Sequence, residues 1–335
     1  MTSLSIIIVN YKTPQLVVDC IHSIKESMTG ALPEIVVVDN YSQDNSREMI
    51  TTVFPELVWI QMEYNSGFAR GNNAGIRAAS GELLLLLNSD TLVEGNAIGE
   101  CAERLRTSSY MAAGVQLLNV DRSPQISGNF FMKGGLNHLM SIPYLGRFIR
   151  AIGLAMKVKK TNVAKAEGVV EVDWINGAFL MVKRSVIETA GLLDEDFFLY
   201  AEEIEWCSRI RKKGKLCIYG DLNVVHFQGA SAAEAFNSTH TGYTKLSDRK
   251  GFQLMVSGLL RIRKQFGTGW FLFHFMTFLF NIPVYFIIAL IRTILFQPGR
   301  KMEWADWWGY SKNSIGLFRF LTRIISNRPY FYKVL

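Results

Sequence analysis

The sequence has few cysteines, and none of them forms a recognisable motif. The four, Cys20, Cys101, Cys207 and Cys217, are far apart, and no Cys-x-x-Cys pair is present. A zinc ribbon or a thioredoxin-like redox pair is therefore excluded, and a reducing compartment is favoured. The apolar run at residues 4–9 has no basic residue before it. It is also too short for a secretory signal peptide.

The common glycine-rich nucleotide-binding patterns are missing as well. The sequence contains no Gly-x-Gly-x-x-Gly fingerprint and no P-loop ending in Gly-Lys-Ser/Thr. Both patterns wrap backbone N–H groups around phosphates, so their absence argues against a nicotinamide oxidoreductase and against a P-loop enzyme. No internal repeat is visible either.

Charged residues are missing from residues 265–291. A helix of this length would extend about 40 Å, which is enough to cross the hydrocarbon core of a bilayer. Basic residues flank both ends, so the positive-inside rule selects no orientation. Because Asn281 and Pro283 interrupt the run, we expect two amphipathic or re-entrant helices broken near these residues. A buried pair of core helices is the alternative.

Acidic residues are scarce in the C-terminal segment. Residues 292–335 contain eight Lys or Arg but only Glu303 and Asp306, so they carry +6 of the net charge of +7. A basic, aromatic segment suits anionic lipid headgroups. Nucleic acid is the rival partner, and we do not expect it because the uncharged run is adjacent. We expect a peripheral, re-entrant or single-span protein at the cytoplasmic face of the cell membrane.

The first half of the sequence alternates short apolar runs with amphipathic stretches. Strands are predicted at 6–9, 35–38, 58–60 and 83–87, and helices near 16–24, 71–79 and 96–105. This alternation predicts an α/β fold with a mostly parallel, doubly wound sheet, whose ligands bind at the carboxyl ends of the strands. Further along, we predict a strand pair around Gly177, a helix at 201–213 and short strands at 215–219 and 224–227. Residues 119–170 are expected to be a flexible segment near the acceptor site.

Two polar clusters follow the first two predicted strands. Asn10 and Tyr11 end the first strand, and Asp39 ends the second. A carboxylate there can accept the imide N–H of a uracil or thymine ring, with Tyr11 as a stacking surface. The alternative for Asp39 is a turn or helix-capping role.

A third cluster opens a predicted helix with small residues and amides. It contains Asn65, Gly67, Arg70 and Asn73. Backbone N–H groups at such a helix start are available to phosphate, and the Arg70 guanidinium adds a forked donor.

A fourth cluster, Asn88-Ser-Asp90, ends the most hydrophobic predicted strand. A carboxylate in that position is costly unless it binds something. Mg²⁺ or Mn²⁺ bridging a diphosphate is the natural partner, whereas capping of a helix by Asp90 is the alternative. Taken alone, His226 is more simply a packed or hydrogen-bonded residue.

Further polar residues surround the start of the helix predicted at 201–213. Glu202 and Glu203 open that helix, where the helix dipole favours acids and where a general base could also be held. Glu205 is spaced to pair with Arg209 on the helix surface. Trp174, Asn176 and Gly177 lie earlier in the chain.

As a series, these motifs resemble the family 2 glycosyltransferases of the GT-A fold, and most closely their rhamnosyltransferase-like branch. The series is Val-Asn-Tyr, Val-Val-Asp-Asn, Asn-x-Gly-Phe-x-x-Gly-Asn-Asn, Leu-Asn-x-Asp, Val-Asp-Trp, Phe-Phe-x-Tyr-x-Glu-Glu and a final His. The resemblance covers residues 4–230, and it extends to the C-terminal third only in general character.

The resemblance implies a metal-dependent, inverting hexosyl transfer, with Mg²⁺ or Mn²⁺ held by Asp90 and His226. It makes Glu203 the catalytic base, with Glu202 as the competing position. Trp174, Asn176 and Gly177 would line the sugar or acceptor pocket. The nucleotide-sugar would be bound by Asn10, Tyr11, Asp39, Asn65, Gly67, Arg70, Asn73 and Asn88.

Two positions depart from the family pattern. Asn88 replaces the first acid of the Asp-x-Asp element, and Glu202-Glu203 stands where Glu-Asp is more usual. The first change weakens the expected ribose or metal contact, and the second leaves the identity of the base open between the two glutamates.

The expected organisation is a catalytic domain at 1–230 followed by a membrane-associated helical region at 231–335. Within the domain, 1–118 would bind the nucleotide-sugar and 119–230 the acceptor. The expected reaction moves a sugar, rhamnose being one candidate, from a dTDP- or UDP-sugar to a lipid-linked saccharide in cell-surface polysaccharide synthesis. A non-catalytic nucleotide-sugar-binding or scaffolding subunit is the alternative.

Overall fold

The computed structural model describes residues 3–157, 160–227, 245–295 and 300–334, with the backbone alone for 300–302. The chain divides into two compact units. The first comprises Met1–Phe130, Asn162–Phe198 and Glu202–Ala235, and the second comprises Phe131–Thr161, Leu199–Ala201 and Phe236–Leu335. The expected domain boundary at 230/231 lies outside the described residues.

The first unit alternates strands and helices. Its strands are β1 Leu4–Asn10, β2 Glu34–Asp39, β3 Val58–Gln61, β4 Leu83–Asn88, β5 Thr91–Val93, β6 Ala112–Leu118, β7 Gly128–Asn129, β8 Asn162–Val163, β9 Val169–Val172, β10 Trp174–Ile175, β11 Phe179–Lys183 and β12 Leu216–His226. Its helices are α1 Pro14–Ser27, α2 Ser46–Val53, α3 Gly67–Ala78, α4 Ala97–Thr107, α6 Arg184–Ala190 and α7 Glu202–Arg211.

The main sheet has the order β3-β2-β1-β4-β11-β6-β12-β5, with β9 paired to β12. Strands β3, β2, β1 and β4 are mutually parallel, and β6 is parallel to β12. Strands β11, β5 and β9 run antiparallel to their neighbours. Strands β10, β7 and β8 form a separate small sheet. The predicted mostly parallel α/β fold is therefore confirmed, with antiparallel strands added on one side.

The central strands form because they are apolar on both faces. Ile6, Ile7 and Ile8 of β1 are fully buried, and so are Leu84 to Leu86 of β4. Strands buried on both faces read as continuous Ile, Val and Leu runs because helices cover both sides of the sheet. Helix α1 contributes Val17, Cys20, Ile21 and Ile24 to the core, at the helical spacing seen in the sequence.

The register of these strands aligns their polar ends at one edge. Asn10 is the partner of Asp39 across β1 and β2, and Val9 is the partner of Asn88 across β1 and β4. The carboxyl ends of β2, β1 and β4 therefore lie side by side, as expected for the ligand edge of a parallel sheet.

Two features of the first unit differ from the sequence expectation. The strands expected at 215–219 and 224–227 are one strand, β12, whose register shifts between Tyr219 and Asn223. Such an irregularity lets the strand bend without ending, so the polar residues of the sequence do not mark a break. The helix expected at 201–213 spans Glu202–Arg211.

The second unit is helical in its described part. It contains a 3₁₀ segment at Lys133–Ser141 and helices α5 Leu145–Ala155, α8 Arg249–Phe266, α9 Thr268–Ile294, α10 Arg300–Gly316 and α11 Phe318–Ser326. Residues 131–161, which the sequence analysis placed with the catalytic domain, belong to this unit. Gly134 and Gly135 have positive φ angles and pack closely against Trp270 and Ile262. A side chain at either position would meet both a strained backbone and an occupied space.

The expected break near Asn281 and Pro283 is wrong, because α9 continues through Pro283. Proline removes one helical N–H, the one that would bond the carbonyl of Leu279, and a helix packed against its neighbours can tolerate this loss. The Tyr310 hydroxyl donates to the Phe278 carbonyl at 2.9 Å, and Trp307 Nε1 donates to the Ile282 carbonyl at 3.1 Å. The actual break falls at Gly267, between α8 and α9. By length and composition, α9 is the one described helix that could cross a membrane, and 33% of its most apolar stretch is buried.

Candidate active site

Asp39 is the centre of a hydrogen-bonded cluster at the ends of β1 and β2. Its carboxylate accepts hydrogen bonds from Asn10 Nδ2 at 2.7 Å and Gln61 Nε2 at 2.6 Å. It also accepts from the backbone N–H of Ser42 at 3.0 Å and the Ser42 hydroxyl at 2.5 Å. Asp39 is only 2% exposed. The turn role considered for this residue is therefore present, and its carboxylate is held in one orientation.

A cavity of about 360 Å³ opens beside this cluster. It is lined by Asp39, Tyr41, Gln43, Asp44, Ser46, Arg47, Gln61, Met62 and Glu63. The aromatic ring in this lining belongs to Tyr41, which is 38% exposed. Tyr11 lies outside the lining, with Lys12 Nζ 5.6 Å from the centre of its ring.

The loop before α3 is fixed by amide side chains. Asn40 donates to Asn65 Oδ1 at 3.0 Å and accepts from the Ser66 backbone N–H at 2.9 Å. Gly67 follows with φ of +78°, and a Cβ there would overlap the Phe198 carbonyl. That carbonyl accepts a hydrogen bond from the Phe68 N–H at 2.8 Å. Gly67 therefore permits a close backbone approach between the start of α3 and residue 198.

Two further residues of the Asn-x-Gly cluster hold the loop at 193–195. Arg70 Nε donates to the Glu195 carbonyl at 3.1 Å, and its NH1 donates to the Tyr64 hydroxyl at 2.7 Å. Asn73 is fully buried, and its amide both donates to and accepts from the Leu193 backbone, at 2.9 and 3.1 Å. The Asn73 side chain is therefore engaged within the protein itself.

Asp90 and His226 are 136 positions apart in sequence and adjacent in the fold. Strand β5 pairs antiparallel with β12 so that Thr91 lies opposite His226. His226 Nε2 is 3.4 Å from Asp90 Oδ1 and 3.5 Å from Asn88 Nδ2. Asp90 is 1% exposed, and neither of its carboxylate oxygens accepts a hydrogen bond. The capping alternative for Asp90 is therefore excluded.

Gln125 fixes the orientation of the His226 ring. Its Nε2 donates to the His226 carbonyl at 2.6 Å and to Asn119 Oδ1 at 2.8 Å. Because Nε2 is the donor on that side, the Gln125 oxygen faces His226 Nδ1 at 2.9 Å and accepts its proton. This assignment of the hydrogen-bond network leaves Nε2 directed towards Asn88 and Asp90, with a lone pair available to a cation whenever the ring is neutral.

The donor set at Asp90 fits a divalent cation. A buried carboxylate without a hydrogen-bond partner costs free energy unless a cation or another donor reaches it. Carboxylate oxygen and neutral imidazole are both ligands of Mn²⁺-type ions, and a second residue commonly holds the far nitrogen of such a histidine. No third His, Cys, Asp or Glu of the described residues joins the group.

Glu202 and Glu203 occupy different environments at the start of α7. Glu202 is 3% exposed, and its Oε2 accepts no hydrogen bond. Burial raises the pKa of Glu202 well above its ordinary value, and the charge of Glu203 adds to this. Glu203 is half-buried and lies beside Gly177, where an added Cβ would be 3.4 Å from its Cγ.

The residues predicted to line the acceptor pocket are held by a second strand pair. Trp174 of β10 lies opposite Asn129 of β7. The Asn176 side chain donates to the Ile126 carbonyl at 3.1 Å and accepts from the Ala178 N–H at 3.0 Å. These contacts fix the turn that brings Gly177 against Glu203. The predicted pair of Glu205 with Arg209 is present at 2.8 Å, although Glu205 is buried rather than exposed.

Sequence reasoning missed three polar residues that order the site. Gln125 orients His226, Ser42 holds Asp39 and Lys12, and Gln61 lines the cavity. Gln125 lies in a segment without strand or helix periodicity. No pattern marks Ser42 or Gln61. No signal in a single sequence could have identified Gln125.

A comparison with known protein families finds a match that includes several of these motifs. Residues 5–137 match the family described as "Glycosyl transferase family 2". We call residues 5–137 the family 2 segment. The family 2 segment runs from β1 to the 3₁₀ segment and includes Asn10, Asp39, Asn88 and Asp90. His226 and the glutamates at 202 and 203 lie beyond it in sequence.

Related proteins extend the similarity beyond the family 2 segment. The "Low-salt glycan biosynthesis hexosyltransferase Agl10" of Haloferax volcanii is 32% identical over 224 residues, which is 64% of this chain and 63% of that protein. The "Poly-beta-1,6-N-acetyl-D-glucosamine synthase" of Staphylococcus aureus (strain COL) is 23% identical over 180 residues, which is 53% of this chain and 39% of that protein. The chain therefore spans less than two thirds of the length of either relative.

Solved structures share the fold. The crystal structure of GalNAc-T7 with UDP, GalNAc and Mn²⁺ superimposes with a TM-score of 0.50 at 15% identity, covering 68% of this chain and 43% of that one. At this identity the likeness concerns the fold alone. Together with the family 2 segment and the mixed, mostly parallel sheet, it establishes the expected GT-A fold.

Proposed function

We propose that this protein is an inverting, metal-dependent glycosyltransferase of glycan or polysaccharide synthesis. It would move a sugar from a nucleoside diphosphate to a hydroxyl of a saccharide acceptor. The observation that carries the proposal is Asp90, whose buried carboxylate accepts no hydrogen bond and faces His226 at the ligand edge of a GT-A sheet. The family 2 segment and the hexosyltransferase relative support the same class of reaction.

The nucleotide base would bind in the cavity beside Asp39. Asp39 already accepts four hydrogen bonds, so a uracil or thymine imide would replace one of the present donors. Gln61 is the replaceable donor, because its side chain is exposed and also reaches the Met62 carbonyl. Tyr41 supplies an aromatic surface in the cavity wall, and we retain Tyr11 as a second ring near the base. This pocket chemistry favours dTDP or UDP, whose bases carry an imide N–H, over adenine and cytosine nucleotides, whose bases offer no ring N–H on that edge.

The diphosphate would lie between the start of α3 and Asp90. Asn65 and Gly67 shape the backbone at that helix start, and Arg70 is near enough in sequence to contribute a cationic donor. Asn73 supports this loop through its bonds to Leu193. Asn88 is placed to touch the ribose or a ligand water. A divalent metal held by Asp90 and His226 would offset the charge that develops on the departing diphosphate.

Glu203 would act as the general base. A base must reach the acceptor hydroxyl, and Glu203 is half-buried beside Gly177, whereas Glu202 is nearly sealed from solvent. Glu203 would accept the proton as the acceptor oxygen attacks the anomeric carbon, which inverts its configuration in a single displacement. Trp174, Asn176 and Gly177 would surround the acceptor. Glu202 is then a buried acid at the start of the helix that does not take the proton.

The acceptor is proposed to be lipid-linked and used at the cytoplasmic face of a membrane. Helix α9 is long and apolar enough to enter a bilayer, and the segment after it is strongly basic. Helix α9 exposes a series of large apolar side chains, including Phe280 at 66% and Ile294 at 63%, and several such side chains on one element indicate an interaction surface. Membrane contact would place the transferase beside an acceptor that does not leave the bilayer.

A donor panel tests the proposal. Purified protein with Mn²⁺ or Mg²⁺ would be given dTDP-rhamnose and a set of UDP-hexoses, with and without a membrane lipid extract. We expect one donor to yield nucleoside diphosphate and a lipid-extractable sugar whose anomeric configuration is opposite to that of the donor. Binding of a donor without release of any nucleoside diphosphate would refute the transferase. Retention of the donor's configuration would refute the single displacement.

A further inference from the structure

Helix α5 carries most of its apolar side chains on one face, with Leu154 on the other side, and the described residues leave much of that face uncovered. Leu145, Phe148, Ile149 and Ile152 recur at helical spacing along it, and Met156, just after its last residue, continues the spacing. Three of them are strongly exposed: Phe148 at 63%, Ile152 at 43% and Met156 at 71%. Gly146 is the one buried residue of the helix. The stripe that would face a core in a soluble helix therefore faces outward.

An exposed helix of this length needs a partner surface. Helix α5 has 11 residues, and isolated helices shorter than about 12 to 15 residues are marginal in water. Most helical stability in proteins comes from burial of the apolar face. The face of α5 therefore calls for a covering surface beyond the described residues of its own unit.

Charge identifies the covering surface. Residues 131–161 contain six Lys or Arg and no Asp or Glu. Arg147 and Arg150 lie on the side of α5 opposite Phe148 and Ile152, and both are exposed. A second copy of the same surface would oppose like charges. An anionic lipid surface would accept the apolar stripe among its acyl chains and the guanidinium groups among its headgroups.

Contacts within the helical unit place the start of α5 beside the apolar part of α9. The hydroxyl of Tyr144, the residue just before α5, donates a hydrogen bond to the Glu303 carboxylate. The same hydroxyl accepts a hydrogen bond from Arg292 NH1 at 3.3 Å. The rings of Tyr144 and Tyr285 are 5.0 Å apart. Ile287, Ile291 and Ile294 of this part of α9 are 54%, 49% and 63% exposed. The apolar stripe of α5 therefore starts next to another exposed apolar surface.

We propose that α5 is an interfacial membrane helix that inserts its Phe148–Ile152 face into an anionic bilayer. Membrane contact in the proposed function rests on α9 and the C-terminal segment, so this contact is additional. It does not depend on the transfer reaction. It would fix the helical unit to the membrane at two places and limit its rotation relative to the bilayer.

Site-directed spin labelling of the full chain tests the proposal. The four native cysteines are buried, so a nitroxide reagent should react selectively with a cysteine introduced by Phe148→Cys. Val120→Cys in the first unit is the matched control, because Val120 and Phe148 are both 63% exposed. With vesicles containing phosphatidylglycerol, the label at 148 should lose contact with a water-soluble nickel relaxant and gain contact with oxygen. The label at 120 should not change.

A second experiment removes positive charge from α5 and measures binding to vesicles. Arg147→Gln with Arg150→Gln should lower the affinity for vesicles containing phosphatidylglycerol by roughly 30-fold. The same pair should leave binding to pure phosphatidylcholine vesicles nearly unchanged. A protein that floats with vesicles while its label at 148 stays in water would refute the role of α5 and leave α9 as the anchor. Protection of the label without vesicles, rising with protein concentration, would refute it in favour of self-association.

Discussion

Gln125 accepts a hydrogen bond from Nδ1 of His226 across 2.9 Å, while its own amide nitrogen donates to the His226 carbonyl. One side chain thus holds both the ring and the backbone of the histidine. The Nε2 lone pair is left facing Asp90, whose carboxylate accepts no hydrogen bond. This arrangement makes the proposed metal site depend on a residue that would not itself touch the metal.

Replacement of Gln125 should weaken metal binding without touching the ligands. Gln125→Leu should reduce the affinity for Mn²⁺ in the presence of UDP by about 10- to 100-fold, because the ring loses its orientation. Gln125→Glu retains an acceptor for Nδ1 and should lose less. Titration followed by the electron paramagnetic resonance of free Mn²⁺ measures both, with the exposed Gln15→Leu as control. Equal affinity for Mn²⁺ in wild type and Gln125→Leu would show that Gln125 does not support the metal site.

Glu202 should make stability depend on pH in a definite direction. Burial raises its folded-state pKa, so its favourable contribution is complete below the unfolded pKa and is lost as pH rises through the folded value. The stability gained by Glu202→Gln over wild type should be near zero around pH 4 and increase with pH towards about 1–3 kcal/mol. Urea unfolding at several pH values measures this, with exposed Glu188→Gln as control. A gain that is independent of pH would contradict the buried acid.

Replacement of Glu203 and replacement of Glu202 by glutamine should have different effects on turnover. Glu203→Gln should leave donor binding intact and reduce turnover by roughly 100- to 10,000-fold, because a general base is lost. Glu202→Gln should reduce turnover far less, since that side chain is nearly sealed from the acceptor. Donor affinity by calorimetry and turnover by sugar transfer distinguish the two. If Glu202→Gln were the more damaging change, the base would be Glu202.

Gly67 should tolerate no side chain. Gly67→Ala should lower the free energy of unfolding by about 1–2 kcal/mol because of the positive φ at this position. Overlap of the new Cβ with the Phe198 carbonyl should lower it further. Gly95→Ala is the matched control, because Gly95 also has positive φ but a Cβ there meets nothing within 4 Å. Denaturant unfolding should therefore show a larger loss for Gly67→Ala. Equal losses would show that the close approach to residue 198 is not needed.

Local patterns in the sequence predicted the central parallel strands well. The apolar runs that became β1, β2 and β4 are buried on both faces, and such runs allow few other structures. The same reasoning placed Asn10, Asp39 and Asn88 at one edge, which the register of β1 with its neighbours confirms.

Long-range pairings were beyond sequence reasoning. The proximity of Asp90 and His226 depends on β5 pairing with the end of β12, and no local pattern encodes an antiparallel partner so distant in sequence. Gln125 was missed for the same reason. The continuity of α9 through Pro283 was missed as well: Tyr310 and Trp307 of another helix pack against α9 around this proline, and the sequence around Pro283 does not show them.

The central claim is metal-dependent transfer at Asp90, and the most direct measurement compares wild type with Asp90→Asn. Both proteins would receive a labelled nucleotide-sugar, Mn²⁺ and a lipid extract, and the labelled lipid product would be counted. We predict product from wild type, none after chelation of the metal, and none from Asp90→Asn although this variant still binds the nucleotide. Transfer by Asp90→Asn at the wild-type rate, or by wild type without metal, would contradict the account.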